Sequence, residues 1–191
     1  MKKSIALVMM AVLLVAASVM GTLAYLTSTD AVENTFTVGK VAITLDEAKV
    51  TEYGVAVEGA ARVKENSYKL IPGHTYTKDP KIHVANDSEP CYLFVKVENG
   101  IAAIEDKENT IEKYMLGQNW VKLGADYPNI WYRAEDLKET PAVYAAGENV
   151  TVFPEFAISG DVLGGTKPTN PAEGALYIED YKDATIKITA Y

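Results

Sequence analysis

The sequence predicts an all-β chain, a β-sandwich carrying a short helix and long loops. Three observations predict it. Short runs of alternating apolar and polar residues recur, as in Val41 to Leu45, Cys91 to Glu98 and Ala184 to Tyr191, and that period belongs to half-buried strands. Turn residues such as Pro72-Gly73 and Asn86-Asp87-Ser88-Glu89-Pro90 separate such runs about every ten residues, the spacing of small sandwiches. Only Glu105 to Leu116 is rich in helix formers, and no segment repeats with the period of a solenoid.

The chain begins with a basic head, Met1-Lys2-Lys3, and an uncharged apolar run to Met20, followed by Gly21-Thr22-Leu23-Ala24. That run is shorter than the about 20 residues of a membrane span and suits the core of a secretory signal peptide. Thr22 and Ala24 present small side chains to a signal peptidase, with Tyr25 as the first residue after the cut. Residues 1–24 therefore read as a signal peptide and 25–191 as one exported β-sandwich domain. An uncleaved membrane anchor is the alternative. The next stretch, Thr27-Ser28-Thr29-Asp30-Ala31-Val32-Glu33-Asn34-Thr35-Phe36, is polar, extended in character and free of proline. Phe36 to Val38 alternates, Gly39 interrupts, and Val41, Ile43 and Leu45 resume in a new phase, the mark of a bulge or bend.

Further along, Ala48 to Ala56 reads as a strand and Glu58-Gly59-Ala60 as a turn. In Ile71-Pro72-Gly73 the proline presets φ and the glycine accepts a positive one. Thr75 to Ala85 is extended, with Ile82 and Val84 inward and Lys81 and His83 outward. Across the Asn86–Pro90 turn, Cys91 to Glu98 reads as its antiparallel hairpin partner. A short helix over Glu105 to Leu116, with Ile111, Met115 and Leu116 on its apolar side, stops at Gly117. Asn119 to Leu123 and Asn129 to Arg133 are aromatic strands around a Gly124–Pro128 turn, and Ala134 to Thr140 holds a helical turn. Glu148 to Ser159 is a strand interrupted by Pro154, which confines it to an edge or bulge. Gly160 to Gly174 is loop, Ala175 to Ile178 begins a short element, and Ala184 to Tyr191 is a strand. The chain ends inside that alternation, which implies a longer natural C-terminus.

The run GTLAYLTSTDAVENTFTVGKVAITLDE resembles the N-terminus of exported Gram-positive proteins processed by the signal peptidase SipW, the TasA and camelysin (CalY) family. The shared pattern is a small-residue and aromatic cleavage region, a polar stretch with Asp or Asn, an aromatic-x-x-Gly and an alternating strand. These are Thr22 to Tyr25, Thr27 to Asn34, Phe36 to Gly39 and Val41 to Leu45. A second echo is Ile71-Pro72-Gly73 followed by Lys78-Asp79-Pro80 and Ile82 to Ser88. The resemblance covers residues 1–46 and 71–98. It implies a jelly-roll-like sandwich, a SipW-type peptidase as processing partner, and a fibre-forming role in a biofilm matrix.

Composition excludes some functions. The formal net charge is −8, all 26 acids follow Tyr25, and two of the 18 basic residues are Lys2 and Lys3. An acidic mature chain without a Lys/Arg cluster does not suit nucleic acid, whose binding rests on neutralising phosphates. Cys91 is the single cysteine, so no intramolecular disulfide forms, and it falls on the apolar face of its strand as a small hydrophobe.

Catalytic signals are missing. Camelysin relatives have been described as metalloproteases, and zinc hydrolysis needs about three protein ligands and an open position. The chain has two histidines, His74 and His83, in a turn and a strand, with no HExxH, and both read as solvent-exposed. No GxSxG occurs, and Gly164-Gly165-Thr166-Lys167-Pro168 lacks the phosphate-loop frame. The paired acids Asp46-Glu47 and Glu105-Asp106 read as solvated surface. Trp120, Trp131 and Tyr132 divide between core and cross-strand pairs, or form a carbohydrate-stacking face. No catalytic residue, metal ligand or cofactor is expected.

The leading expectation is therefore an extracellular matrix subunit that polymerises with itself, aided or not by an accessory matrix protein. Residues 27–36, freed by cleavage, would be donated as a strand to the next subunit, anchored by Phe36. Head-to-tail donation repeats without closing and gives a filament. The alternative is a monomeric secreted or cell-surface binding module, adhesin-like, using Gly160 to Gly174 or the aromatic strands. A camelysin-like protease ranks last for want of ligands.

Overall fold

The computed structural model describes residues 2–26, 39–136 and 140–191, and the chain divides into the units Met1–Val38 and Gly39–Tyr191. The first unit is described as one helix, α1 (Lys2–Leu26). Its side chains from Ile5 to Val15 are apolar and exposed, so this stretch has no separate polar face. Among the described residues no helix is long and apolar enough to cross a membrane.

The second unit is predominantly β. Its strands are β1 (Ile43–Asp46), β2 (Thr75–Thr77), β3 (Lys81–Val84), β4 (Cys91–Tyr92), β5 (Phe94–Asn99), β6 (Trp120–Lys122), β7 (Ile130–Arg133), β8 (Val143–Tyr144), β9 (Asn149–Thr151), β10 (Glu155–Ala157) and β11 (Ile186–Ala190), with the short helix α2 (Ile111–Gly117) between β5 and β6. One sheet runs β1-β3-β9 and a second β11-β5-β7-β6, beside two-stranded ribbons β10-β2 and β4-β8. Period-2 burial explains the layering. Ile82 and Val84 of β3 and Val95 and Val97 of β5 are buried, and both pairs enter one hydrophobic cluster with Trp120, Trp131, Phe153 and Phe156. The Trp120 indole N–H donates to Thr151 O at 3.2 Å, tying the β6 end of the second sheet to β9 of the first.

One register links the first sheet with the β10-β2 ribbon. Ile82 pairs with Val150 and Tyr76 with Phe156, so the pairing of β2–β3 with β9–β10 keeps one register across its break. Pro80 and Pro154 sit at that break, and each still accepts through its carbonyl, from Val152 N at 2.8 Å and Lys78 N at 3.1 Å. Two prolines without N–H donors interrupt the ladder and bend it.

Several expectations need correction. Cys91 to Glu98 is not the hairpin partner of β3. The neighbours of β3 are β1 and β9, so both its edges are satisfied, and the 86–90 loop carries the chain to the other sheet. The run Ala48 to Ala56 is a tight turn closed by a Val50–Ala56 bridge rather than a strand. The α2 helix starts at Ile111 because Thr110 caps it, accepting from Lys113 N at 3.2 Å, while Glu105 is extended and bridges Ile158. Ile111 and Met115 are buried, but Leu116 falls off that face and is exposed. Ala134 bridges Pro141, and residues 137–139 of the expected helical turn lie outside the described residues. The turn at Pro72-Gly73 is as expected, with Gly73 at φ 72°.

Candidate functional site

Of the residues singled out in the sequence, Thr22, Ala24 and Tyr25 lie in the final turns of α1, so the expected cut falls within helical backbone. Thr27, Ser28, Thr29, Asp30, Ala31, Val32, Glu33, Asn34, Thr35 and Phe36 lie outside the described residues. Two sheet edges flank a groove in the second unit.

In the first sheet, Ala85 N donates to Ala42 O at 2.9 Å. By antiparallel alternation the backbone groups of Ala42, Thr44 and Asp46 face β3, and those of Ile43 and Leu45 face outward. That outward edge is partly covered, because Glu47 exchanges both backbone bonds with Val63 at 2.8 Å and Lys64 Nζ donates to Leu45 O. In the second sheet, Thr185 O accepts from Gly100 N and Phe94 O from Tyr191 N, each at 2.9 Å. The groups of Lys187 and Thr189 therefore face β5, and those of Ile186, Ile188 and Ala190 face outward. Among the described residues β11 has no neighbour on that side.

A groove of about 420 Å³ runs between β1 and β11, walled by Leu45 and Asp46 on one side and Ile186 and Ile188 on the other. Lys64, Lys78 and Lys187 line it against Asp46 and Glu47. Around it the charges form two groups. Asp46 and Asp79 hold Arg62 between them, with Arg62 Nη1 donating to Asp79 Oδ2 at 2.9 Å. His83 joins them, its Nε2 at 2.9 Å from Asp46 Oδ1 and its Nδ1 beside Asn149 Oδ1. Burial works to raise the Asp46 carboxyl, but the hydrogen bonds from Arg62 and His83 outweigh it and hold it below its ordinary value. The second group is buried: Lys78 pairs with Glu47, which are 7% and 4% exposed.

Asp46-Glu47 is thus no solvated surface pair, and Glu105 is buried too, accepting from Ile111 N at 2.9 Å. The phase carried a signal for Glu47, which shares parity with Ile43 and Leu45, and for Lys78, which shares parity with Tyr76 and Ile82. Nothing local in the sequence marks Arg62 or Asn66. His83 is half-buried in its cluster rather than exposed. His74 is half-buried as well, its Nε2 2.9 Å from Tyr53 O and its ring edge-on to Tyr76 at 4.6 Å. Among the described residues no group of His, Cys, Asp and Glu is arranged to hold a metal ion. Cys91 is buried opposite Tyr144, and burial pushes its thiol up. Trp120, Trp131 and Tyr132 are all buried, as core rather than as a stacking face. Lys167 of the glycine-rich loop pairs with Asp180 at 2.8 Å.

No family model, no curated protein and no solved structure matches the chain.

Proposed function

We propose that the protein is an exported matrix subunit, a jelly-roll-like β-sandwich that assembles into fibres by donating residues 27–36 to the next copy. The observation that carries this reading is the open outer edge of β11 beside the groove. Of the two edges flanking the groove, that of β1 is partly covered by Val63 and Lys64, while β11 has no further neighbour among the described residues, so the donor pairs with β11. Its outward N–H and C=O groups accept a strand by backbone pairing alone, which tolerates a polar donor such as TSTDAVENTF. Charge favours the same occupant, since apart from the buried Lys78–Glu47 pair the groove carries Lys64 and Lys187 against Asp46, and the donor brings Asp30 and Glu33. Release of the segment by a SipW-type peptidase before Tyr25 couples processing to assembly.

The test compares chains starting at Tyr25 and at Thr37 by negative-stain electron microscopy and light scattering. Fibres from the first and monomers from the second support the reading. Monomers from both, under acid and crowding as well, overturn it in favour of a secreted binding module.

A further inference from the structure

Beneath the groove lies a cluster that strand addition does not use. Lys78 Nζ donates to Glu47 Oε2, and Asn66 Nδ2 donates to Glu47 Oε1 at 3.0 Å. One carboxylate thus holds an amine on one oxygen and a carboxamide on the other. The amide cannot be flipped, because Asn66 Oδ1 accepts from Val50 N at 3.0 Å and Nδ2 also donates to Ala48 O at 2.8 Å. An aromatic wall shields the group. The Tyr68 ring lies 5.8 Å from Lys78 Nζ and packs edge-on against Tyr76 and Phe156.

The geometry points to a self-catalysed amide crosslink between Lys78 Nζ and Asn66 Cγ, with Glu47 as the proton carrier. A proton passed from the Lys78 ammonium to Glu47 along the hydrogen bond between them leaves a neutral amine beside a neutral acid. The amine lone pair then attacks Asn66 Cγ. Negative charge develops on Oδ1, where the Val50 N–H already donates, as an oxyanion donor must. The Cγ–Nδ2 bond breaks as the new C–N bond is kept. Nδ2 takes the second proton of Nζ and leaves as neutral ammonia, while Glu47 keeps the proton it took from Lys78 and ends as a neutral acid beside the new amide. One C–N bond replaces another, so no oxidant, metal or cofactor is required. Holding both reactants on one carboxylate supplies the proximity that makes amide exchange fast enough without an external catalyst. The product replaces a buried ion pair with a neutral amide and ties residue 66 to residue 78 across the Pro72-Gly73 turn.

Mass spectrometry of the purified full chain under denaturing conditions, followed by tryptic mapping, tests this. The expected mass is lower than the sequence mass by one ammonia, with a branched peptide joining Lys78 to residue 66. Glu47→Gln and Lys78→Met should each restore the full mass. The wild-type chain at its full sequence mass overturns the crosslink, whatever becomes of the variants. An ammonia loss that persists in Lys78→Met also overturns it, since that is ring closure of an asparagine on its own backbone.

Discussion

If the outer edge of β11 accepts a strand, proline placed at adjacent positions of that strand will separate assembly from stability. At Ile188 the N–H faces outward, so Ile188→Pro leaves the β5–β11 ladder intact and removes a donor from the accepting edge. The cost is one hydrogen bond plus an unsatisfied carbonyl on the incoming strand, about 1–3 kcal/mol. That raises the critical concentration for assembly about 5- to 150-fold. At Lys187 the N–H faces Glu98 across the ladder, so Lys187→Pro takes the same about 1–3 kcal/mol from the subunit itself. Ile188→Pro also loses part of a half-buried side chain, about 1 kcal/mol of subunit stability. Light scattering on chains starting at Tyr25 reads assembly, and urea denaturation of chains starting at Thr37 reads stability. An unchanged critical concentration in Ile188→Pro would refute the choice of edge. Indistinguishable effects of the two prolines on both readouts would refute the parity argument beneath it.

Three further outcomes follow from the described residues. The Asp46 carboxyl is held below its ordinary 3.8 by its bonds from Arg62 and His83, against the opposing effect of burial. A depressed folded value contributes stability above the unfolded one and loses it as pH falls through the folded value. The urea midpoint should therefore drop below pH 3.8, and drop less in Asp46→Asn. Glu105 has the opposite sign. Burial raises its carboxyl above 4.5, against the bonds from Ile111 N–H and Asn99, so its charge costs stability as pH rises from 4.5 through the raised value. Glu105→Gln keeps an acceptor for Ile111 and should raise the midpoint at pH 7 relative to the wild type, by an amount that vanishes in acid. Gly54 sits at φ 75°, and a Cβ there would meet Tyr76 Cα at 2.7 Å. Gly54→Ala should cost at least about 1–3 kcal/mol in urea denaturation from backbone strain, with the contact adding to it.

What was legible in the sequence was legible through period and punctuation. Alternation located β1, β3, β5 and β11, since a side-chain period of two follows from strand geometry whatever the partner, and aromatic residues marked β6 and β7. Proline and glycine marked the turn at residues 72–73 and the break at Pro154, because their backbone limits are local. Phase even held the buried charges: Glu47 and Lys78 fall on the inward face of their runs, although two adjacent acids read more naturally as surface.

Pairing was not legible. The Asn86–Pro90 turn looks like a hairpin loop, yet it crosses between sheets, because β3 finds both its neighbours, β1 and β9, far from it in sequence. The alternation of Ile186, Ile188 and Ala190 predicted a strand but not its free edge, which depends on what β5 pairs with on each side. Asn66 and Arg62 carry no local signal, and they acquire a role only when the fold brings Glu47, Lys78, Asp46 and Asp79 to them. By itself the sequence determined most of the longer strands, their inward faces and the turn at residues 72–73, all consequences of forces acting within a few residues. The tertiary structure alone decided that the outer edge of β11 is unpaired among the described residues and that a buried amine and carboxylate meet the half-buried Asn66 amide, since both depend on contacts between distant segments.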